Sequence, residues 1–183
     1  MIKRLLAVAA ALVSASVLAG ELPPMTWAEY HACKYNEGQT PTSVADFTDS
    51  WNAWMDSEDR QDYSAAILNP LYRSPPTAVD MLWVGATSSN ESMAAGQSAW
   101  RSSDVFNDWP ASDCSISMLA TQYAVGSPIH ENVMTDEMVV AYWYCNLNEG
   151  STIEEVYTAH SATMQAGAEA GAVQESRIIV PRQ

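Results

Sequence analysis

Positive charge is scarce in this chain. Lysine and arginine number 8 against 22 aspartates and glutamates, so the 183 residues carry a formal net charge of −14. Such a surface repels phosphate backbones and anionic lipid, which argues against nucleic acid or a membrane surface as partner. Histidine is equally sparse. His31, His130 and His160 are scattered, and no His-x-x-x-His, Cys-x-x-Cys or His-Glu-x-x-His spacing occurs, so no metal site is expected. A nucleophile elbow, a phosphate loop and a dinucleotide fingerprint are all missing. The glycine pair Gly167 and Gly171 follows a helical stretch rather than a strand, the wrong context for a cofactor loop. Beyond the first residues no apolar run reaches membrane-spanning length. Cysteine is limited to Cys33, Cys114 and Cys145, an odd count.

The N-terminus carries what the rest lacks. Lys3 and Arg4 precede an apolar run from Leu5 to Val17, and Val17 and Ala19 stand where a signal peptidase reads small residues, before Gly20. The run is too short for an anchor, so residues 1–19 are expected to be a cleaved signal peptide of the bacterial Sec type. Periplasmic or secreted localisation follows, and with it permission for disulfides. Asn90-Glu91-Ser92 matches a glycosylation sequon, which a bacterial export route leaves unused. The mature, acidic chain is read as soluble.

One motif occurs twice. Tyr30, Cys33, Asn36, Glu37, Gly38, Thr40 and Val44 return, without a gap, as Tyr142, Cys145, Asn148, Glu149, Gly150, Thr152 and Val156. The set includes uncommon residue types, so the chain contains two copies of one structural unit. Each copy reads as strand, turn, helix. Trp27 to Tyr35 and Met138 to Leu147 are the strands. Asn-Glu-Gly is the turn. Thr40 with Pro41, and Thr152 with Glu155, are helix starts of two different designs.

In the first helix Val44, Phe47, Trp51 and Trp54 form one apolar stripe. The matching positions Val156, Ala159, Thr163 and Ala166 keep the phase with smaller side chains. Further on, Asp56 to Asp62 reads as a solvated loop, Ala65 to Tyr72 as a strand and Ser74-Pro75-Pro76 as a turn. Ala78 to Thr87 is a stronger strand. Asn90 to Trp100 is a helix capped by Ser89 or Asn90, Ser102 to Pro110 a loop, and Ser115 to Val125 a strand. After the second helix, Ser176 to Val180 is a last strand.

The order β-α-β-β-α-β resembles the ferredoxin-like pattern. Two such units in tandem resemble the dimeric α/β-barrel superfamily in its fused form, an α+β class in which two sheets meet face to face. The resemblance implies a first repeat over 20–126 and a partial second over 127–183. It also implies that the last strand of a unit lies beside the first, which sets Cys33 next to Cys114 and makes them the expected disulfide. By the same logic Cys145 would pair with a cysteine beyond Gln183, so the chain is expected to be the front part of a longer one.

Candidate chemistry is thin. Glu37 and Glu149 are the duplicated acids; they read either as paired acid/base groups or as turn carboxylates near a helix N-terminus, the turn being the simpler account. His31 faces the same side of its strand as Trp27 and Cys33. Members of the resembled superfamily that bind haem do so through a histidine, a role His31 or His160 would fill, and others are cofactor-independent monooxygenase-like or isomerase-like enzymes. Core filling accounts for most of the aromatic rings. Trp83 and Trp143 alternate on strands and are candidates to line a cavity, and Trp100, Trp109 and Tyr123 near loops are candidates for contact with a planar ligand. The expectation is therefore an exported ferredoxin-like barrel that binds a small apolar or aromatic compound or mediates assembly, as a homodimer for instance, with no cofactor required.

Overall fold

A computed structural model describes residues 21–58, 62–71, 79–126, 139–172 and 175–182. The expected signal peptide, the Ser74-Pro75-Pro76 turn and His130 lie outside the described residues. Along the chain run β1 (Thr26–Tyr35), α1 (Pro41–Ser57), β2 (Ser64–Leu68), β3 (Met81–Thr87), α2 (Asn90–Ser102), a 3-10 turn (Asp104–Asp108), β4 (Ala111–Val125), α3 (Ile153–Glu169) and β5 (Ser176–Pro181). The five strands form one sheet in the order β2-β3-β1-β4-β5, every pairing antiparallel. Its first four strands with α1 and α2 have the ferredoxin-like arrangement.

Local chemistry explains the element starts. Thr40 accepts a hydrogen bond from the Ser43 amide, Pro41 opens α1, and the Ser43 side chain returns a bond to the cap. Thr152 and Glu155 form the same reciprocal box at α3. Removing the α3 cap with Thr152→Ala should cost about 1 kcal/mol, read as a lower urea midpoint at unchanged slope. Gly38 and Gly150 sit at matching turn positions with φ of 78° and 80°, a conformation that side chains with a Cβ resist.

Strand parity then sorts β1. Glu29, His31 and Cys33 point toward the helices, while Ala28, Tyr30 and Ala32 point to the other face. On the helix side Val44 of α1 closes onto Cys33, Met81 and Ala111, a fully buried cluster. Burying Val44 alone is worth about 1.5–3 kcal/mol. On the other side Ala28, Tyr30 and Ala120 are buried among Leu82, Val84, Met118 and Ile179, and Tyr142 sets its ring edge-on to Tyr30 at 6.3 Å.

The second half departs from the expected repeat. Among the described residues there is one sheet, because β5 pairs with Ala120–Val125 of β4 and so extends the first unit. The expected strand Met138 to Leu147 is not a strand over 139–147; those residues are exposed, with Trp143 at 82% and Tyr144 at 98%. A strand needs a neighbour for its amides, and among the described residues no strand pairs with 139–147. The stripe of α3 is also rotated. Ala159, Thr163 and Ala166 are exposed, and Met164 is the buried residue, against Gly126. Ser102 to Pro110, expected as a loop, holds the 3-10 turn, and β4 begins at Ala111, ahead of Ser115. β2 stops at Leu68 before Asn69-Pro70, since proline cannot donate to the ladder.

Cys33 and Cys114 form a disulfide, with Cα atoms 3.9 Å apart. It crosses β1 and β4 where their register shifts between Ala32 and Lys34. Cys114 therefore lies within β4 rather than just ahead of it. Cys145 is free and exposed.

Candidate functional site

α1 and α2 do not close completely onto the sheet. Between them lies a cavity of ≈ 510 Å³. Its walls are aromatic because the apolar stripe of α1, the end of α2 and the inward face of β3 all carry tryptophan there. Trp51, Trp54, Trp83, Trp100 and Trp109 all line it, five of the chain's seven tryptophans. The rings interlock, edge to face at three contacts and tilted at Trp54–Trp100. Trp83 contacts Trp51 at 5.3 Å and Trp109 at 5.4 Å, and Trp100 contacts Trp54 at 5.5 Å and Trp109 at 6.2 Å. Each such pair adds about 0.5–1.5 kcal/mol beyond the area it buries, so the wall is held in place without a ligand.

A buried carboxylate lies in the floor. Glu29, 6% exposed, is held by three side chains from three places in the chain. The Tyr63 hydroxyl donates to Oε1 at 2.6 Å, His31 Nε2 lies 2.9 Å from Oε2, and Gln97 Nε2 donates to the same oxygen. Trp83 Nε1–H donates to the Tyr63 oxygen at 2.9 Å, which orients the phenol. In the neutral imidazole Nε2–H donates to Glu29, which leaves Nδ1 to accept from the Ser117 hydroxyl 2.8 Å away. Burial pushes the Glu29 carboxyl up, but the bonds from His31, Tyr63 and Gln97, together with the Coulombic pull of His31, outweigh it and hold the group below its usual range, hence ionised. Burial, and then the neighbouring carboxylate, push the Tyr63 phenol far up, so it remains a donor.

The close approach of Tyr63 to Glu29 depends on Gly85. Gly85 of β3 pairs with Glu29 on one side and Ala65 on the other, and a Cβ built there would stand 1.9 Å from the Tyr63 hydroxyl oxygen. A second, smaller cavity of ≈ 250 Å³ adjoins the first, with Glu29, His31 and Gln97 bordering both.

The expected site residues fall into two groups. Trp83, Trp100, Trp109 and His31 stand on the cavity wall together with the Cys33–Cys114 disulfide. Tyr123 lies on β4 beside β5, outside that wall, and Trp143 is on the exposed run. Glu37 and Glu149 occupy exposed turns away from the cavity. His160 is bonded to Ser176 at 2.7 Å in the second half. Glu29, Tyr63, Gln97, Trp51 and Trp54 were not among the candidates. The usable signal was strand parity, which puts Glu29 on the same inward face as His31. Among the described residues no group of three His, Cys, Asp or Glu side chains could hold a metal ion, and no helix is long and apolar enough to cross a membrane.

Fold and cavity together define an α+β protein of the ferredoxin-like kind. No protein-family model and no curated protein matches the chain. Among solved structures it has a distant likeness to a dimeric ferredoxin-like protein of unknown function from Thermobifida fusca YX, at 11% identity and a TM-score of 0.37, over 55% of this chain and 92% of the other. The fold assignment rests on the strand order above.

Proposed function

We propose that the protein binds a small planar aromatic compound that carries a hydrogen-bond donor. The observation behind this reading is the juxtaposition of five tryptophans and one ionised, buried carboxylate around a single cavity. A volume of ≈ 510 Å³ is that of a site for a compound of one or two rings. The tryptophans supply flat apolar contact, and Glu29, with three donors on its two oxygens, keeps a lone pair for a fourth. Titration calorimetry with 2-naphthalenemethanol tests this. Saturable binding is expected, weakened about tenfold or more by Trp100→Ala, which removes one wall. No heat from the unaltered protein would count against the reading.

An assembly role is the second reading, supported by the run 139–147 with its exposed Trp143, Tyr144 and Val139. Two copies meeting through this run would supply the second sheet that the fused-barrel resemblance implies, as a homodimer of an exported protein.

A further inference from the structure

The cavity's charge narrows the ligand further. Its aromatic walls present electron-rich faces, which attract cations when the ring centroid is within about 6 Å. Its described lining holds the carboxylates Glu29, Glu58 and Asp62 and one guanidinium, Arg101, with His31 and Tyr63 as the other titratable side chains. Glu29 is the member that matters most, because it is buried and two of its three partners, Tyr63 and Gln97, are neutral donors, while the third, His31 at 2.9 Å, opposes its charge only when protonated. Neutral donors steady a carboxylate without cancelling its charge, and an ionised group kept from water calls for a counter-charge. Asp62 at the rim also stays ionised, through hydrogen bonds from Ser92 and Ser88. The whole chain, at −14, draws cations toward it at low salt.

We infer that the ligand of this cavity is a small aromatic cation, an arylalkyl ammonium whose ring lies among Trp83, Trp100 and Trp109 and whose charged nitrogen points to Glu29. This rests on the cavity-binding reading proposed above and specifies its substrate class. A neutral aromatic would use the walls and add no charge opposite Glu29. An aromatic anion would be repelled by it. The ammonium alone uses the rings, the carboxylate and the acidic rim together.

Three probes that share one ring system separate these cases: 2-naphthylmethylammonium, 2-naphthalenemethanol and 2-naphthoate, each titrated into the unaltered protein at pH 7. The ammonium is expected to bind about tenfold or more tighter than the alcohol, with the preference shrinking as salt is raised, and the carboxylate not at all. In Glu29→Gln the ammonium and the alcohol should bind alike. Equal affinity for ammonium and alcohol in the unaltered protein overturns the cation assignment and leaves the cavity-binding reading intact. Absence of binding by all three overturns both. A Glu29→Gln protein that keeps the preference also overturns it, by removing Glu29 as the counter-charge. The comparison on the unaltered chain decides the matter even if that variant does not fold.

Discussion

Replacing Cys33 and Cys114 together by alanine is expected to lower the unfolding free energy by about 4 kcal/mol. The two residues are separated by 81 positions, and closing a loop of that size in the unfolded chain removes entropy worth roughly that amount. The bridge also ties β1, the central strand, to β4, through which β5 joins the sheet. Against a typical domain stability of about 5–15 kcal/mol the loss is large. Urea unfolding of the unaltered protein with and without reductant, beside the double variant, measures it. Coincident midpoints in all three would show that packing of Val44, Met81 and Ala111 holds this corner without the bond. Cys145, free and exposed, should leave the oxidised and reduced curves of the double variant identical.

The second large effect is expected at a residue with no side chain. Gly85→Ala would put a Cβ 1.9 Å from the Tyr63 hydroxyl oxygen and 3.0 Å from Glu29 Oε1. A tyrosine ring is rigid, so relief requires the whole ring to swing away, and that breaks the bonds to Glu29 and Trp83. Overpacking of this kind costs about 1–3 kcal/mol. The lost bond leaves a buried carboxylate short of a donor, which costs about 1–3 kcal/mol more. Ligand affinity should fall with stability, because the Tyr63 ring also moves out of its contact with Trp51 at 5.9 Å. Thermal unfolding and calorimetry on the same sample check both parts. An alanine variant of unchanged stability and affinity would mean that Tyr63 does not cross Gly85 in solution.

Much of this was legible before any coordinates. The strand, Asn-Glu-Gly turn and capped helix of the first unit follow from local signals, since caps and turns act within a few residues. The order of elements resembles the ferredoxin-like pattern, and it is that resemblance that implies the sheet order and with it the Cys33–Cys114 neighbourhood. The tryptophans at helical spacing in α1 read as core, yet Trp51 and Trp54 are half-buried because their rings face a cavity. Nothing local distinguishes a ring that fills space from one that borders it. The carboxylate network was harder still. Glu29, Tyr63 and Gln97 come from β1, the segment before β2, and α2, and only the folded sheet brings them together.

The expected strand Met138 to Leu147 fails for a related reason. Sequence identity at Tyr142, Cys145 and Asn148 preserves a local tendency, but a strand also needs a neighbouring strand, and among the described residues none pairs with 139–147. Turn and helix cap survive in the second copy because they need no partner. In the helix, the phase follows Met164, which meets Gly126 just after β4, rather than the positions inherited from α1.

Indole N–H resonances of the ¹⁵N-labelled protein test the central claim most directly, because all seven tryptophans report at once. Titration with 2-naphthylmethylammonium should shift the signals of Trp51, Trp54, Trp83, Trp100 and Trp109 and leave Trp27 and Trp143 where they were. Shifts confined to Trp143 and Trp27, or none at all, would contradict a ligand site between the helices and the sheet.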